Sequence, residues 1–278
     1  MQKLVSLPLI KAMVYANVFI SICAMAMVFV THLVFNIPFN YKNNSYLIFV
    51  LLSTYLQYNV QRGYSIFQHD NLTYRSKWVT ANKKTLIISI GLCLIIVLFL
   101  CNTLSYTSIG IMVGAEILST LYYLPPFSFR KYGYVKPFLI SLIWVISCVT
   151  VPLIENHLFN LNSIWFMLSQ FFFIATLCAL FDIKDAADDY MNGVNTYANK
   201  FGINTTKGLC IALTLLTILS NVYFDYQNKN ILIATVIVAL ISFLSIVLTN
   251  EKRHSFYYYL WIDGIIMIQA LLVFILLR

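Results

Sequence analysis

The chain has 278 residues, of which 60% are hydrophobic and only 10% are charged, and its mean hydropathy is +0.81. A soluble globular protein carries about 25% charged residues, so this composition excludes one and predicts a single polytopic membrane domain over residues 1–278. The chain has a net charge of +8, but its basic residues are spread over short loops and form no stripe. We therefore predict no nucleic-acid partner.

Nine apolar segments predict an all-α bundle of nine transmembrane helices, since each is about long enough to cross a bilayer as a helix. They cover roughly residues 12–35, 45–61, 85–102, 107–124, 137–154, 163–181, 208–224, 231–249 and 256–277. Three longer polar loops separate them, at about residues 62–84, 125–136 and 182–207.

The distribution of basic residues predicts the orientation of the bundle. If the N-terminus is cytoplasmic, all but three of the 18 Lys and Arg residues fall on the cytoplasmic side, the exceptions being Lys42, Lys229 and Arg278. Basic residues are enriched in cytoplasmic loops. We therefore expect the C-terminus on the opposite side and all three polar loops in the cytoplasm. As a separate expectation, the host membrane is a bacterial inner membrane.

The loop after the second segment is long, polar and aromatic, and long loops in compact domains are usually functional or disordered. Its candidate binding residues are Asn59, Arg62 and Asp70, within a wider set that also includes Gln61, His69, Arg75 and Lys77. Membrane anchoring explains many such basic residues equally well. We single out Arg62 because it lies closest to the interior of the bundle.

The loop after the fourth segment begins with Tyr122 and contains two prolines, which end the helix and impose an extended path. Basic side chains follow, at Arg130, Lys131 and Lys136. Cations of this kind can bind the oxygens of an oligophosphate. Membrane anchoring is again the alternative.

Four of the ten acidic residues lie within eight positions after the sixth segment. Asp182, Asp185 and Asp189 are spaced i, i+3 and i+7 and would share one helical face, with Asp188 on another. Three carboxylates on one face repel each other unless a cation lies among them, and Mg²⁺ with one or two carboxylates and phosphate oxygens is a common solution. A solvated acidic loop is the alternative.

Smaller signals flank and follow this acidic stretch. Gly193 permits a sharp turn, and Thr196 can cap the next helix. The aromatic run 256–261 is typical of a membrane interface. Asp263 lies inside the last apolar segment, where a carboxylate is expected to face the bundle interior and either pair with a cation or line a cavity.

Several motifs resemble those of the UbiA superfamily of intramembrane prenyltransferases. The spacing of Asp182, Asp185, Asp189, Gly193 and Thr196 is similar to the second aspartate-rich motif of that family, and residues 122–130 (YYLPPFSFR) are similar to its Tyr-x-x-Pro-Pro stretch. The resemblance extends over the whole chain through the number of segments and loops. It implies a nine-helix fold and a cavity that opens sideways to lipid.

The resemblance also implies a function and its site residues. Asp182, Asp185 and Asp189 would be catalytic and would bind Mg²⁺ and the diphosphate of a polyprenyl donor. Arg130 and Lys131 or Lys136 would help to hold that diphosphate. The acceptor would be a lipid-soluble, aromatic molecule, and both substrates would reach the site from the membrane lipids.

The first aspartate-rich motif of the family has no counterpart here, since Asn59 is followed by no carboxylate before Asp70. We hypothesise that Arg62 supplies positive charge directly where the family uses a second metal ion. The altered motif leaves two alternatives open, a UbiA-type terpene cyclase and a non-catalytic isoprenoid-binding membrane protein. A transporter is disfavoured because paired spans carry no obvious Gly or Pro interruptions.

Overall fold

The computed structural model describes residues 8–68, 73–124, 132–191, 193–224 and 229–277, and all regular structure in these ranges is helical. The helices are α1 (Pro8–Tyr15), α2 (Val18–Val34), α3 (Tyr41–Gln68), α4 (Tyr74–Ala81), α5 (Lys83–Leu100), α6 (Tyr106–Tyr123), α7 (Lys136–Glu155), α8 (Ser163–Met191), α9 (Tyr197–Phe201), α10 (Ile203–Phe224), α11 (Lys229–Leu248) and α12 (Tyr257–Leu277). Every apolar segment predicted from the sequence lies in one or two of these helices. The all-α prediction is confirmed.

Length and composition identify fewer membrane spans than there are helices. Among the described residues, six helices are long and apolar enough to cross a bilayer, or seven if α1 and α2 form one bent span. Helices α3 and α6 are not among them because both carry polar side chains toward the interior, such as Gln57 and Arg62 of α3 and Glu116 and Ser119 of α6. The count of nine spans stays a prediction.

The helices pack around a common interior. Helix α8 packs against α7 and α10, and α11 packs against α10 and α12. Helix α2 packs against α12 and α3. Helix α5 contacts α3 but presents most of its surface outward, including Ile88, Leu92 and Ile95. Because an apolar helix with an exposed apolar surface is stable only in lipid or a partner interface, α5 forms part of the outer surface of the bundle that faces lipid or a partner.

Among the described helices, α7 and α12 contain π-helical turns, which widen the helix and free backbone carbonyls. In α7 the turn covers Ile146–Thr150. Its carbonyl groups accept hydrogen bonds from other helices: Thr31 Oγ1 donates to Cys148 O at 2.9 Å, and the Tyr46 hydroxyl donates to Ser147 O at 2.6 Å. A buried carbonyl without a partner would be costly in a membrane. These bonds therefore tie α7 to α2 and α3.

The chain bends sharply where α1 meets α2. The two helix axes differ by 66°, and the second of the two residues between them, Asn17, has a φ of 60° in the left-handed region. Asparagine adopts this conformation more readily than most residues. The bend ends α1 at the edge of the interior, where the carbonyl of Val14 can accept a hydrogen bond from outside the helix.

Candidate functional site

A cavity of about 1470 Å³ lies among the helices. Its wall includes α8 from Ile174 to Asp189, so at 1.5 Å per residue it extends roughly 20 Å along that helix. The Asp189 end is charged, and the charged side chains of the wall are Lys11, Arg62, Arg75, Glu116, Lys136, Lys184, Asp185, Asp188, Asp189, Glu251, Arg253 and Asp263. Around Ile174 the wall is apolar, with Phe19, Ile20, Ile140, Trp144, Leu177 and Ile266.

At the charged end, Lys136 bridges two carboxylates of α8. Its Nζ lies 2.7 Å from Asp182 Oδ1 and 3.0 Å from Asp189 Oδ2. Asp182 and Asp189 are seven residues apart and share a helical face, as the sequence predicted. Both carboxylates are almost fully buried, at 1% and 2% exposed. The cation that keeps these two aspartates together is therefore a lysine of the chain itself.

The remaining acidic side chains of α8 are directed to the cavity. Asp185 and Asp188 line its wall, whereas Asp182 does not. Lys184, the residue before Asp185, places its Nζ 2.5 Å from Asp185 Oδ1. Of the three aspartates predicted to act together, Asp182 and Asp189 thus pair with Lys136 and Asp185 pairs with Lys184. Asp185 and Asp189 line the cavity wall.

The turn before α7 fixes Lys136 against α8. A Cβ atom at Gly133 would lie only 2.3 Å from Asn195 O, so this position admits only glycine without a backbone shift. The ring of Tyr134 packs edge-on against Tyr197, with centroids 5.1 Å apart. These contacts join the turn at 132–135 to the loop after α8 and hold Lys136 in reach of Asp189.

The loop after α8 has the turn and the cap that its sequence predicted. Gly193 has a φ of 71°, and Val194 N donates to Asp189 O at 2.8 Å, which closes the end of the helix. Thr196 caps α9 in a capping box with Asn199. Both predictions are confirmed.

These positions limit how magnesium could be bound. Across the described ranges, no three His, Cys, Asp or Glu side chains are grouped so as to hold a metal ion. A site made of Asp182, Asp185 and Asp189 together is not assembled, because Lys136 occupies the space between the outer two. Asp185 and Asp188 are three residues apart on the cavity wall, and such a pair fits the one or two carboxylates that Mg²⁺ usually takes.

A second cationic group lies at the same end of the cavity. Thr73 caps α4 by accepting a hydrogen bond from Ser76 N, and this places Arg75 in the first turn of α4. The Arg75 guanidinium donates to Val14 O at 3.2 Å and to Asn17 Oδ1. Arg75 thereby contacts the bend between α1 and α2.

Asn59 forms hydrogen bonds with the same bend. Its Nδ2 donates to Ala16 O and Tyr55 O, and its Oδ1 accepts a hydrogen bond from Asn17 Nδ2 at 3.1 Å. Asn59 is 7% exposed and is not part of the cavity wall. It therefore acts on the cavity through Asn17, which in turn holds Arg75.

Tyr259 contacts two cations on the cavity wall. The Arg75 guanidinium lies 5.0 Å from the centroid of its ring, and Lys184 Nζ also lies 5.0 Å from it. The charges of Arg62, Arg75 and Lys184 all act on its hydroxyl group. Asp263, one turn further along α12, lines the cavity as an intramembrane carboxylate was expected to do.

The structure brings some of the predicted site residues together and leaves others apart. Arg62, Tyr122, Lys136, Asp185 and Asp189 line the cavity, and Asn59 and Asp182 lie behind its wall. Three predicted residues lie outside the described residues, namely Asp70, Arg130 and Lys131.

Sequence reasoning did not single out Arg75, Lys184 or Tyr259. Arg75 was one basic residue among several in its loop, and Tyr259 lay in a run typical of an aromatic belt. A signal was present in the spacing of Tyr259 and Asp263, since residues four apart share a helical face. An intramembrane carboxylate therefore indicates which member of the aromatic run faces inward.

The similarity of this chain to known proteins lies in its fold. No family model matches the sequence, and no curated protein matches it. A solved structure of digeranylgeranylglyceryl phosphate synthase in membranes is similar over 96% of this chain and 97% of that chain, with a TM-score of 0.62 and 16% sequence identity. That synthase is a UbiA-superfamily intramembrane prenyltransferase. The resemblance drawn from sequence motifs is thus confirmed for the fold.

Proposed function

Because the chain has the fold of a UbiA-superfamily intramembrane prenyltransferase, we propose that it transfers a polyprenyl group from its diphosphate to a lipid-soluble, aromatic acceptor with the assistance of Mg²⁺. The observation that carries this proposal is the cavity, which joins a charged end at Asp185 and Asp188 to an apolar depth at Ile174 and Trp144. A prenyl diphosphate has the same two parts, a charged head and a hydrocarbon tail.

In this proposal the charged end binds the diphosphate. Asp185 and Asp188 are the side chains that would hold Mg²⁺, which, when bound, supplies positive charge to the leaving diphosphate. Arg62 lines the same end and supplies positive charge without a metal ion. This arrangement accounts for the missing first aspartate-rich motif.

The apolar part of the cavity protects the reaction from water. When the allylic C–O bond breaks, a carbocation forms that water would capture, so the wall around it has to exclude water. Aromatic faces also stabilise a nearby cation, and Tyr122 and Trp144 line the cavity. We propose that these rings flank the reacting end of the prenyl chain.

One observation favours an alternative, a non-catalytic isoprenoid-binding protein. Lys136 already neutralises Asp182 and Asp189, which removes two carboxylates from any metal site. A protein that keeps the cavity without the metal would bind the same lipids and release no diphosphate.

Turnover of a short radiolabelled prenyl diphosphate separates the two functions. We expect purified protein to release diphosphate only when Mg²⁺ is present, and Asp185→Ala to lose this release. Asp182→Asn is the matched comparison, because Asp182 lies behind the cavity wall and its loss should leave the dependence on Mg²⁺ concentration unchanged. Donor binding without release by the wild-type protein would support the non-catalytic alternative.

The proposed role of Arg62 has a test of its own. Arg62→Glu places a negative charge beside the expected diphosphate, so donor binding should be abolished. Unchanged affinity for diphosphate in this variant would overturn the role of Arg62 and leave the other assignments standing.

A further inference from the structure

Within the part of the chain that the structure describes, Arg75 is a buried cation without an acidic partner. It is 9% exposed and lies on the cavity wall. Its guanidinium donates hydrogen bonds to two neutral oxygen atoms, Val14 O and Asn17 Oδ1, and among the described residues its Nε has no hydrogen-bond partner. Burying a charge is costly unless an opposite charge compensates for it. Such a residue has an unmet requirement for an anion.

Its surroundings do not meet that requirement. Its guanidinium also lies 5.0 Å from the centroid of the Tyr259 ring, and a second cation, Lys184, lies 5.0 Å from the same centroid. Asp263 is within electrostatic range of both cations, but the described part of the chain contains no ion pair between Asp263 and either of them. The Tyr259 ring thus contacts two cations that face the same cavity.

We propose that Arg75 and Lys184, which both contact the Tyr259 ring, form an anion-binding site that takes the diphosphate of the prenyl donor directly. This inference rests on the proposed function and assigns its donor site to residues beyond Arg62. A guanidinium presents two parallel N–H groups that match phosphate oxygens. Arg75 can therefore recognise a phosphate group by its geometry as well as by its charge.

The position of Lys184 connects this site to the carboxylates of the cavity wall. Lys184 precedes Asp185 in the sequence and pairs with it at 2.5 Å. A diphosphate that contacts Lys184 therefore lies beside Asp185, the carboxylate proposed to approach the metal ion. One end of the diphosphate would face Arg75 and the other would face Asp185 and Asp188.

Inorganic diphosphate is the probe that tests the site without catalysis. Its affinity for the full chain in lipid nanodiscs is measured by calorimetry without Mg²⁺, for wild type, Arg75→Gln, Arg75→Lys and Lys184→Gln. Lys77→Gln is the matched control, because Lys77 lies on the same short helix, is exposed and does not line the cavity. The thermal unfolding midpoint of each variant reports whether it is folded.

We expect Arg75→Gln to weaken diphosphate binding by about 10- to 100-fold, the range for a lost hydrogen bond to a charged group. Lys184→Gln should weaken it as well, and Arg75→Lys should recover part of the affinity because it restores the charge but not the two-pronged geometry. Lys77→Gln should change it by no more than about fivefold, as for an exposed charge. Unchanged affinity in folded Arg75→Gln would overturn the inference.

A second probe separates two possible sources of the anion. Benzoate carries a carboxylate on an aromatic ring and represents an anionic acceptor. If Arg75→Gln loses affinity for benzoate and keeps its affinity for diphosphate, the site belongs to the acceptor and the assignment to the donor is wrong. Loss of diphosphate affinity alone supports the donor assignment.

The experiments distinguish a failure of this anion-binding site from a failure of the proposed transfer reaction. If the wild-type protein releases diphosphate from a prenyl donor while Arg75→Gln keeps both its KM and its diphosphate affinity, the inference fails and the proposed function stands. If diphosphate binding depends on Arg75 but no variant releases product, the anion site stands and the proposed transfer reaction fails.

Discussion

Lys136 and Arg75 are both largely buried cations at the charged end of the cavity, but they have opposite kinds of partners. Lys136 lies between two carboxylates, Asp182 and Asp189. Arg75 contacts two neutral oxygen atoms and an aromatic ring. Loss of Lys136 would leave two buried carboxylates without a counter-charge, whereas Arg75 has no acidic partner among the described residues and is available to an anionic ligand. This difference decides which of the two we assign to the substrate.

The comparison also revises the predicted role of Lys136. The sequence placed it among the residues that bind the diphosphate, and it does line the cavity. Its ammonium group already has two anionic partners, so a phosphate would have to compete with both. For that reason our proposal assigns Lys136 to the support of α8 and leaves direct binding by Lys136 as an untested prediction.

Lys136→Met should give the largest loss of stability. It leaves Asp182 and Asp189 buried without a counter-charge, and breaking such a pair from one side costs about 3–5 kcal/mol. Denaturant titration in detergent micelles measures the change in the free energy of unfolding. The double variant Lys136→Met, Asp182→Asn should recover part of the loss, and an unchanged free energy in the single variant would show that the bridge does not support the fold.

Gly133→Ala should come next, because the added Cβ has no room beside Asn195 O. Inserting a methyl group into a tightly packed site typically costs about 1–3 kcal/mol. Gly110→Ala is the control, since a Cβ there meets nothing within 4 Å and alanine favours a helix. If both variants unfold at the wild-type denaturant concentration, the turn at Gly133 does not position Lys136.

Thr196→Ala should have a smaller effect, confined to the loop beside Lys136. It removes the side chain that caps α9, and loss of such a cap costs about 1 kcal/mol. Thr205→Ala is a suitable control because Thr205 is exposed and its hydroxyl donates only to Phe201 O within the adjoining helix. Equal unfolding midpoints for the two variants would contradict a role for the cap.

Arg75→Gln should have the smallest effect on stability. The introduced glutamine retains a donor for Asn17 Oδ1, and removing an uncompensated buried charge offsets the lost hydrogen bonds, so we expect a change within about 1 kcal/mol. The same denaturant titration measures it. A loss as large as that of Lys136→Met would mean that the two cations play the same structural role.

The sequence predicted elements of the fold that depend on local pattern. The apolar segments, the continuation of α8 through Asp189, the turn at Gly193 and the cap at Thr196 all follow from spacing and residue type. Each depends on residues within a few positions of each other, where helical geometry determines which side chains are neighbours.

The candidate site was harder to predict because its contacts join distant parts of the chain. Three aspartates at helical spacing implied a cation among them, but nothing in that stretch indicates that Lys136, from another helix, supplies it. Arg75 is distinguished from other basic residues of its loop only by the bend at Asn17. Such juxtapositions are determined by packing, which local periodicity does not encode.

The most direct test of the contrast between Arg75 and Lys136 measures the affinity for inorganic diphosphate without Mg²⁺. It compares Arg75→Gln with the double variant Lys136→Gln, Asp182→Asn. The double variant removes the positive charge of Lys136 and the negative charge of Asp182, so the net charge of the cluster is unchanged. Its thermal unfolding midpoint reports whether it is folded. We predict that Arg75→Gln loses about 10- to 100-fold in affinity, while the double variant stays close to wild type. A larger loss in the double variant than in Arg75→Gln would contradict the assignment and identify Lys136 as the cation that binds the substrate.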